Sequence, residues 1–126
     1  MTKILVVDDS ASMRKMVIAS LRMIPETVFS EASNGLEAIE KLTLQHFDAL
    51  MLDMNMPDMN GMEVLQFIRS QQTYRNIPVV VLTTRSDDFM KSSAIEAGAT
   101  LYLNKPFEPH LLAQKVSAIL NNSSNG

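Results

Sequence analysis

Asp8, Asp9, Asp53, Thr83 and Lys105 are the residues of this chain best suited to chemistry, and each stands just after, or at the end of, a short apolar run. If those runs are strands of one parallel sheet, all five residues lie along a single rim, outside the carboxyl ends of the strands where ligands bind in open α/β sheets. Three carboxylates a few ångströms apart repel one another, and that repulsion is relieved by protonation or by a cation. Hard oxygen donors, with a backbone carbonyl in the Asn55 region and no His or Cys nearby, suit Mg²⁺ far better than zinc. Lys105 adds a compact ammonium and Thr83 a neutral hydroxyl. Together they suit an incoming phosphoryl group: metal on one side, ammonium and hydroxyl on the other, and a carboxylate between them as nucleophile.

The elements that must position these residues can be read from hydrophobic spacing. Lys3 to Val7 is a short unalternating β-branched run that ends on Asp8-Asp9, as expected of a strand covered on both faces. Ser10 is a good N-cap, and Met13, Met16, Val17, Leu21 and Ile24 fall at helical spacing until Pro25. Thr27 to Ala32 reads as a weaker second strand, and Asn34-Gly35 precedes a helix striped by Leu36, Ile39 and Leu42. The stretch from Asp48 to Gly61 thickens into a buried strand that stops on Asp53. Pro57 cannot continue a central strand, and Asn60-Gly61 offers the start of a helix carrying Met62, Leu65 and Ile68. A fourth strand follows Pro78 and ends on Thr83-Thr84. A helix from about Asp87 to Ala97 closes on Gly98, and Thr100 to Leu103 forms a fifth strand before Asn104-Lys105-Pro106. The last helix spans Glu108 to Leu120. Residues 122–126 read as a disordered polar tail after a single domain of residues 1–121. Five strands alternating with five helices call for a doubly wound α/β fold with a parallel sheet.

Composition narrows the function classes. A chain of 126 residues with 46% hydrophobic and 20% charged side chains is an ordinary globular domain, long enough for one proper core. A net charge of −3 gives no reason to expect nucleic acid or an anionic membrane as partner. The absence of cysteine removes thiol catalysis, disulfides and Cys-based zinc sites. The opening MTKILVVDD enters a run too short for a signal peptide or a membrane span, so a cytoplasmic location is expected.

VVDDS at 6–10, LDMNMPDMNG at 52–61, LTT at 82–84 and YLNKPF at 102–107 resemble, in order and spacing, the receiver domain of bacterial two-component response regulators. The resemblance covers about residues 3–120. It implies a flavodoxin-like (βα)5 fold with strand order 2-1-3-4-5, the order for which the chemotaxis regulator of this family is a standing example. It also implies Asp53 as phosphoacceptor, and Asp8 and Asp9 as the acidic pair for Mg²⁺ with the Asn55 main-chain carbonyl as a further ligand. Thr83 would be the hydroxyl drawn to the phosphoryl group, Lys105 the ammonium that pairs with it, and Tyr102 the aromatic that changes rotamer on activation. A cis Lys105-Pro106 bond follows from the same resemblance. Around Ser12 to Val17 the sequence is most similar to the single-domain chemotaxis type, whose partners are a histidine kinase and the flagellar motor switch, with a phosphatase as a further partner. The implied activity is signalling, with no catalysis beyond self-phosphorylation from a phosphodonor and autodephosphorylation.

Plainer readings stand beside these. Asp8-Asp9 also suits a solvated helix cap, Lys105-Pro106 an ordinary turn, Thr83 a strand residue and Tyr102 simple packing. The methionines clustered from Met51 to Met62 suit gap-filling more than a binding groove, and neither His46 nor His110 is assigned a role. Thr84 and Arg85 depart from the family pattern: Thr84 is bulkier than the usual residue there, and Arg85 sits where hydrolysis is tuned. Two rivals share the residues. A phosphorelay intermediate needs the same site. A Mg²⁺-dependent phosphatase of the haloacid-dehalogenase type needs a general acid two residues after the nucleophile, where Asn55 has none to give.

Overall fold

The computed structural model describes residues 1–84 and 88–125. The element order is β1 (Thr2–Val7), α1 (Ala11–Leu21), β2 (Thr27–Ala32), α2 (Gly35–Leu44), β3 (Ala49–Asp53), α3 (Gly61–Ser70), β4 (Val79–Thr83), α4 (Asp88–Glu96), β5 (Leu101–Asn104) and α5 (Pro109–Asn125). All strand pairs are parallel, and the sheet runs β2-β1-β3-β4-β5, the implied order.

Side chains alternate across the sheet, yet both faces are apolar because helices cover both. Leu5, Val7, Leu50, Leu52, Val79 and Val81 pack with α2, α3 and α4 through Leu42, Val64, Leu65, Ile68 and Ala94. Ile4, Val6, Ala49, Met51, Val80 and Leu82 pack with α1 and α5 through Val17, Leu21, Leu112 and Val116. The three central strands therefore read as unbroken apolar runs, and β3 and β4 are buried along their whole length.

Local chemistry places the helix starts at the rim. The Ser10 hydroxyl accepts from the Met13 N–H, Asn34 from the Glu37 N–H, and Asn60 from the Glu63 N–H, while the Glu63 carboxylate accepts in turn from the Asn60 N–H. Glu108 accepts from the His110 and Leu111 N–H groups ahead of Pro109, a residue suited to the first helical position. Gly98 takes φ +112 just past α4, a conformation that favours glycine.

The structure corrects several expectations. Met16 and Leu36 are 54% and 64% exposed, while Ile18, Ser20 and Ala38 sit inside. The helices approach the sheet over small residues, and buried Ser20 satisfies its hydroxyl by donating to the Met16 carbonyl. The expected tail is helical as far as Asn125. An established helix gains one backbone bond per added residue, so short polar residues of modest propensity prolong it. The expectations for Arg85 and for a helix start at Asp87 lie outside the described residues.

Candidate functional site

β1 and β3 are paired neighbours, with Val7 in register with Leu52, so the residues that follow them meet at the rim. Asp8, Asp9 and Asp53 each present a carboxylate oxygen, and these oxygens all lie within 4.8 Å of one another. Asp8 and Asp53 are buried at 4% exposure each, while Asp9 is exposed. Lys105 reaches in from beyond β5: its Nζ is 2.7 Å from Asp8 Oδ2 and 3.3 Å from Asp53 Oδ1. Burial, and then the neighbouring Asp8 charge, push the Asp53 carboxyl above the usual carboxylate range, against the opposing pull of Lys105 and of the Asn55 N–H. The result is a carboxylate more basic than an ordinary aspartate.

The remaining residues of the set frame this centre. The Asn55 N–H donates to Asp53 Oδ1 at 3.2 Å, and its side-chain amide donates to Thr83 Oγ1 and Thr84 Oγ1. Thr83 is fully buried, and its carbonyl accepts from the Lys105 N–H at 2.7 Å, which ties the end of β4 to the segment after β5. The Lys105-Pro106 bond is cis. Tyr102 is the one member of the predicted set that lies away from the cluster. It is half-buried on β5, opposite Val81, and packs against the core on the α4 side.

Three supports escaped the sequence reading. Arg14, in the first turns of α1, donates to the Asp8 carbonyl and pairs with Glu31 at 2.8 Å, bracing the acidic corner. Its signal was a cation one turn into the helix that follows the acidic pair. Gly61 lies so close to Asp53 that a Cβ there would meet the Asp53 carbonyl oxygen at 2.4 Å. Arg69 donates to the carbonyls of Gly98, Arg75 and Ile77 at 2.7–2.9 Å and fastens the far ends of α3 and α4.

The donor set fits a hard divalent cation. It offers three carboxylate oxygens in one small volume, two of them from buried residues, with the Lys105 ammonium and the Ser10 and Asn55 N–H groups donating to the buried pair. The set holds carboxylates, one ammonium, a hydroxyl and an amide, with no thiol or imidazole in it among the described residues.

A family profile described as the response regulator receiver domain matches residues 4–117. The chain belongs to that family. This receiver domain is 35% identical to the chemotaxis protein CheY homolog of Campylobacter jejuni, over 97% of this chain and 95% of that protein. It is 37% identical to the transcriptional regulatory protein ResD of Bacillus subtilis, over 98% of this chain and 50% of that protein. Among solved structures, the chemotaxis protein CheY4 of Vibrio cholerae superposes with a TM-score of 0.86 at 36% identity, covering 94% of this chain and 98% of that one. The receiver is thus a signalling domain, and among the described residues no helix is long and apolar enough to cross a membrane.

Proposed function

We propose that the receiver accepts a phosphoryl group on Asp53 from the phosphohistidine of a histidine kinase and signals by a change in partner affinity. The observation that supports this most is the Asp53 carboxylate, buried at a strand end between two further aspartates and the Lys105 ammonium. An oxygen of Asp53 attacks phosphorus, the N–P bond breaks, and the imidazole leaves with the electron pair. Once deprotonated, a carboxylate of raised basicity is the stronger nucleophile.

Asp8, Asp9 and Asp53, with the Asn55 main-chain carbonyl, would hold Mg²⁺, which offsets charge on the phosphoryl oxygens when bound. Lys105 supplies the opposing positive charge, and Thr83 a hydroxyl that turns toward the new group. The added charge of about −1.5 to −2 draws these donors across the rim. Their displacement shifts the end of β4, and Tyr102 follows, altering the surface of α4, β5 and α5. Similarity to chemotaxis proteins over nearly their whole length favours a motility pathway, with a flagellar motor switch protein as target and a phosphatase to reset the signal.

Intact mass after incubation with Mg²⁺ and acetyl phosphate tests the reading. One phosphoryl group is expected on this chain, dependent on Mg²⁺, and none on Asp53→Asn. Equal labelling of the two proteins would place the acceptor elsewhere.

A further inference from the structure

An asparagine side chain has two N–H donors on its amide nitrogen. In this receiver both are engaged by threonines: Asn55 Nδ2 lies 3.3 Å from Thr83 Oγ1 and 3.3 Å from Thr84 Oγ1. The Asn55 backbone is meanwhile tethered to the Asp53 carboxylate by its own N–H. Both amide donors are thus held by hydroxyl oxygens at and just past the end of β4. Thr83 is buried and Thr84, the next residue, is exposed.

Given Asp53 as phosphoacceptor, we infer that Thr84 is a positioning residue that holds the Asn55 amide off the phosphorylated carboxylate and so lengthens the life of the phosphoryl group. Decay of that group is a hydrolysis. Water oxygen forms a bond to phosphorus, the bond between phosphorus and the Asp53 oxygen breaks with its electron pair left on the carboxylate, and the water proton departs with inorganic phosphate. A free amide beside the carboxylate orients such a water, since it carries both donors and an acceptor. When the Thr83 hydroxyl turns to the phosphoryl group, Asn55 loses one partner. Thr84 keeps the other, and the amide stays anchored away from the line of attack.

The full chain, loaded with Mg²⁺ and acetyl phosphate and then freed of donor, is followed by intact mass as the adduct decays. Thr84→Val keeps the branched bulk and removes the acceptor; Thr84→Ser keeps the hydroxyl. Decay about 3- to 10-fold faster is expected in Thr84→Val, the range that one neutral hydrogen bond commands. Thr84→Ser is expected to match the parent. In an Asn55→Ala background, Thr84→Val is expected to have no further effect, because the influence runs through the amide. Unchanged or slower decay in Thr84→Val overturns the inference, as does an acceleration that persists without Asn55. If the parent chain takes up no phosphoryl group at all, the acceptor role of Asp53 falls, and this inference with it.

Discussion

Lys105→Met makes the sharpest test of how the site is held together. The ammonium stands 2.7 Å from Asp8 and 3.3 Å from Asp53, with side-chain exposures of 8% for the lysine and 5% for each carboxylate. At an effective dielectric of about 20, those separations correspond to gross attractions of about 6 and about 5 kcal/mol. Methionine also spares the cost of desolvating an ammonium, several kcal/mol, so the expected net loss of stability near neutral pH is about 3–5 kcal/mol. That is a large part of the about 5–15 kcal/mol available to a domain of this kind.

The loss must depend on pH with a definite sign. The Asp53 carboxyl is raised in the folded state, so its contribution to stability is fully present below its unfolded pKa and is lost as pH rises through the folded value. Lys105 is one of the groups that restrain that rise, so its removal moves the folded pKa further up. The gap between parent and variant therefore widens as pH rises through this window and narrows toward acid. Urea unfolding followed by far-UV circular dichroism, at about pH 7.5 and about pH 3.5, measures both limits. A divalent cation at ten times its dissociation constant should restore about 1.4 kcal/mol. A neutral-pH loss below about 1 kcal/mol, or the same loss at both pH values, would refute a desolvated pair and mean that water screens it.

Further outcomes follow from the neighbouring residues. Asp53→Asn removes a charge that burial and Asp8 disfavour, so its urea midpoint should exceed the parent's at neutral pH, with the advantage fading toward acid. Gly61→Ala forces a methyl group against the Asp53 carbonyl oxygen and Met54 Cα, at 2.4 and 2.7 Å. It should cost about 1–3 kcal/mol and reduce phosphoryl uptake in the intact-mass assay, whereas a neutral effect on both would show that the β3–α3 junction yields. Arg69→Met leaves the carbonyls of Gly98, Arg75 and Ile77 without their charged donor. Its expected cost is about 3 kcal/mol, and faster amide hydrogen exchange should appear around Gly98 before it appears in β3.

How far the sequence could be read depended on which property each residue expressed. The central strands were legible because burial on both faces leaves unbroken apolar runs such as Val79 to Leu82. The caps at Ser10, Asn34 and Asn60, and the turn at Gly98, were legible because backbone geometry demands those residue types. Helix faces were less so. Ala38 and Ser20 are buried because a helix can approach the sheet closely only over small side chains, and spacing of large apolar residues points instead to Leu36 and Met16. At the rim, a list of strand ends gathered Asp8, Asp9, Asp53, Thr83 and Lys105 without any coordinates. Partner choice stayed hidden: Arg14 bracing the Asp8 carbonyl, and Asn55 spanning two hydroxyls, depend on rotamers that no spacing encodes.

Those partner choices bear on how the receiver responds. The donors nearest Asp53 already have partners: Lys105 is shared between Asp8 and Asp53, and the Asn55 amide between Thr83 and Thr84. A phosphoryl group on Asp53 brings three acceptor oxygens into a site whose carboxyl groups already crowd one another. Such a group would compete with Asp8 for the Lys105 ammonium, and with Asn55 for the position of the Thr83 hydroxyl, which accepts from that amide. On the proposed acceptor role of Asp53, activation would reorder contacts that are already made rather than fill an empty site. Because Thr83 closes β4 and its carbonyl holds the Lys105 N–H, a rearrangement at Thr83 would be mechanically joined to β5 and to the surface beyond it.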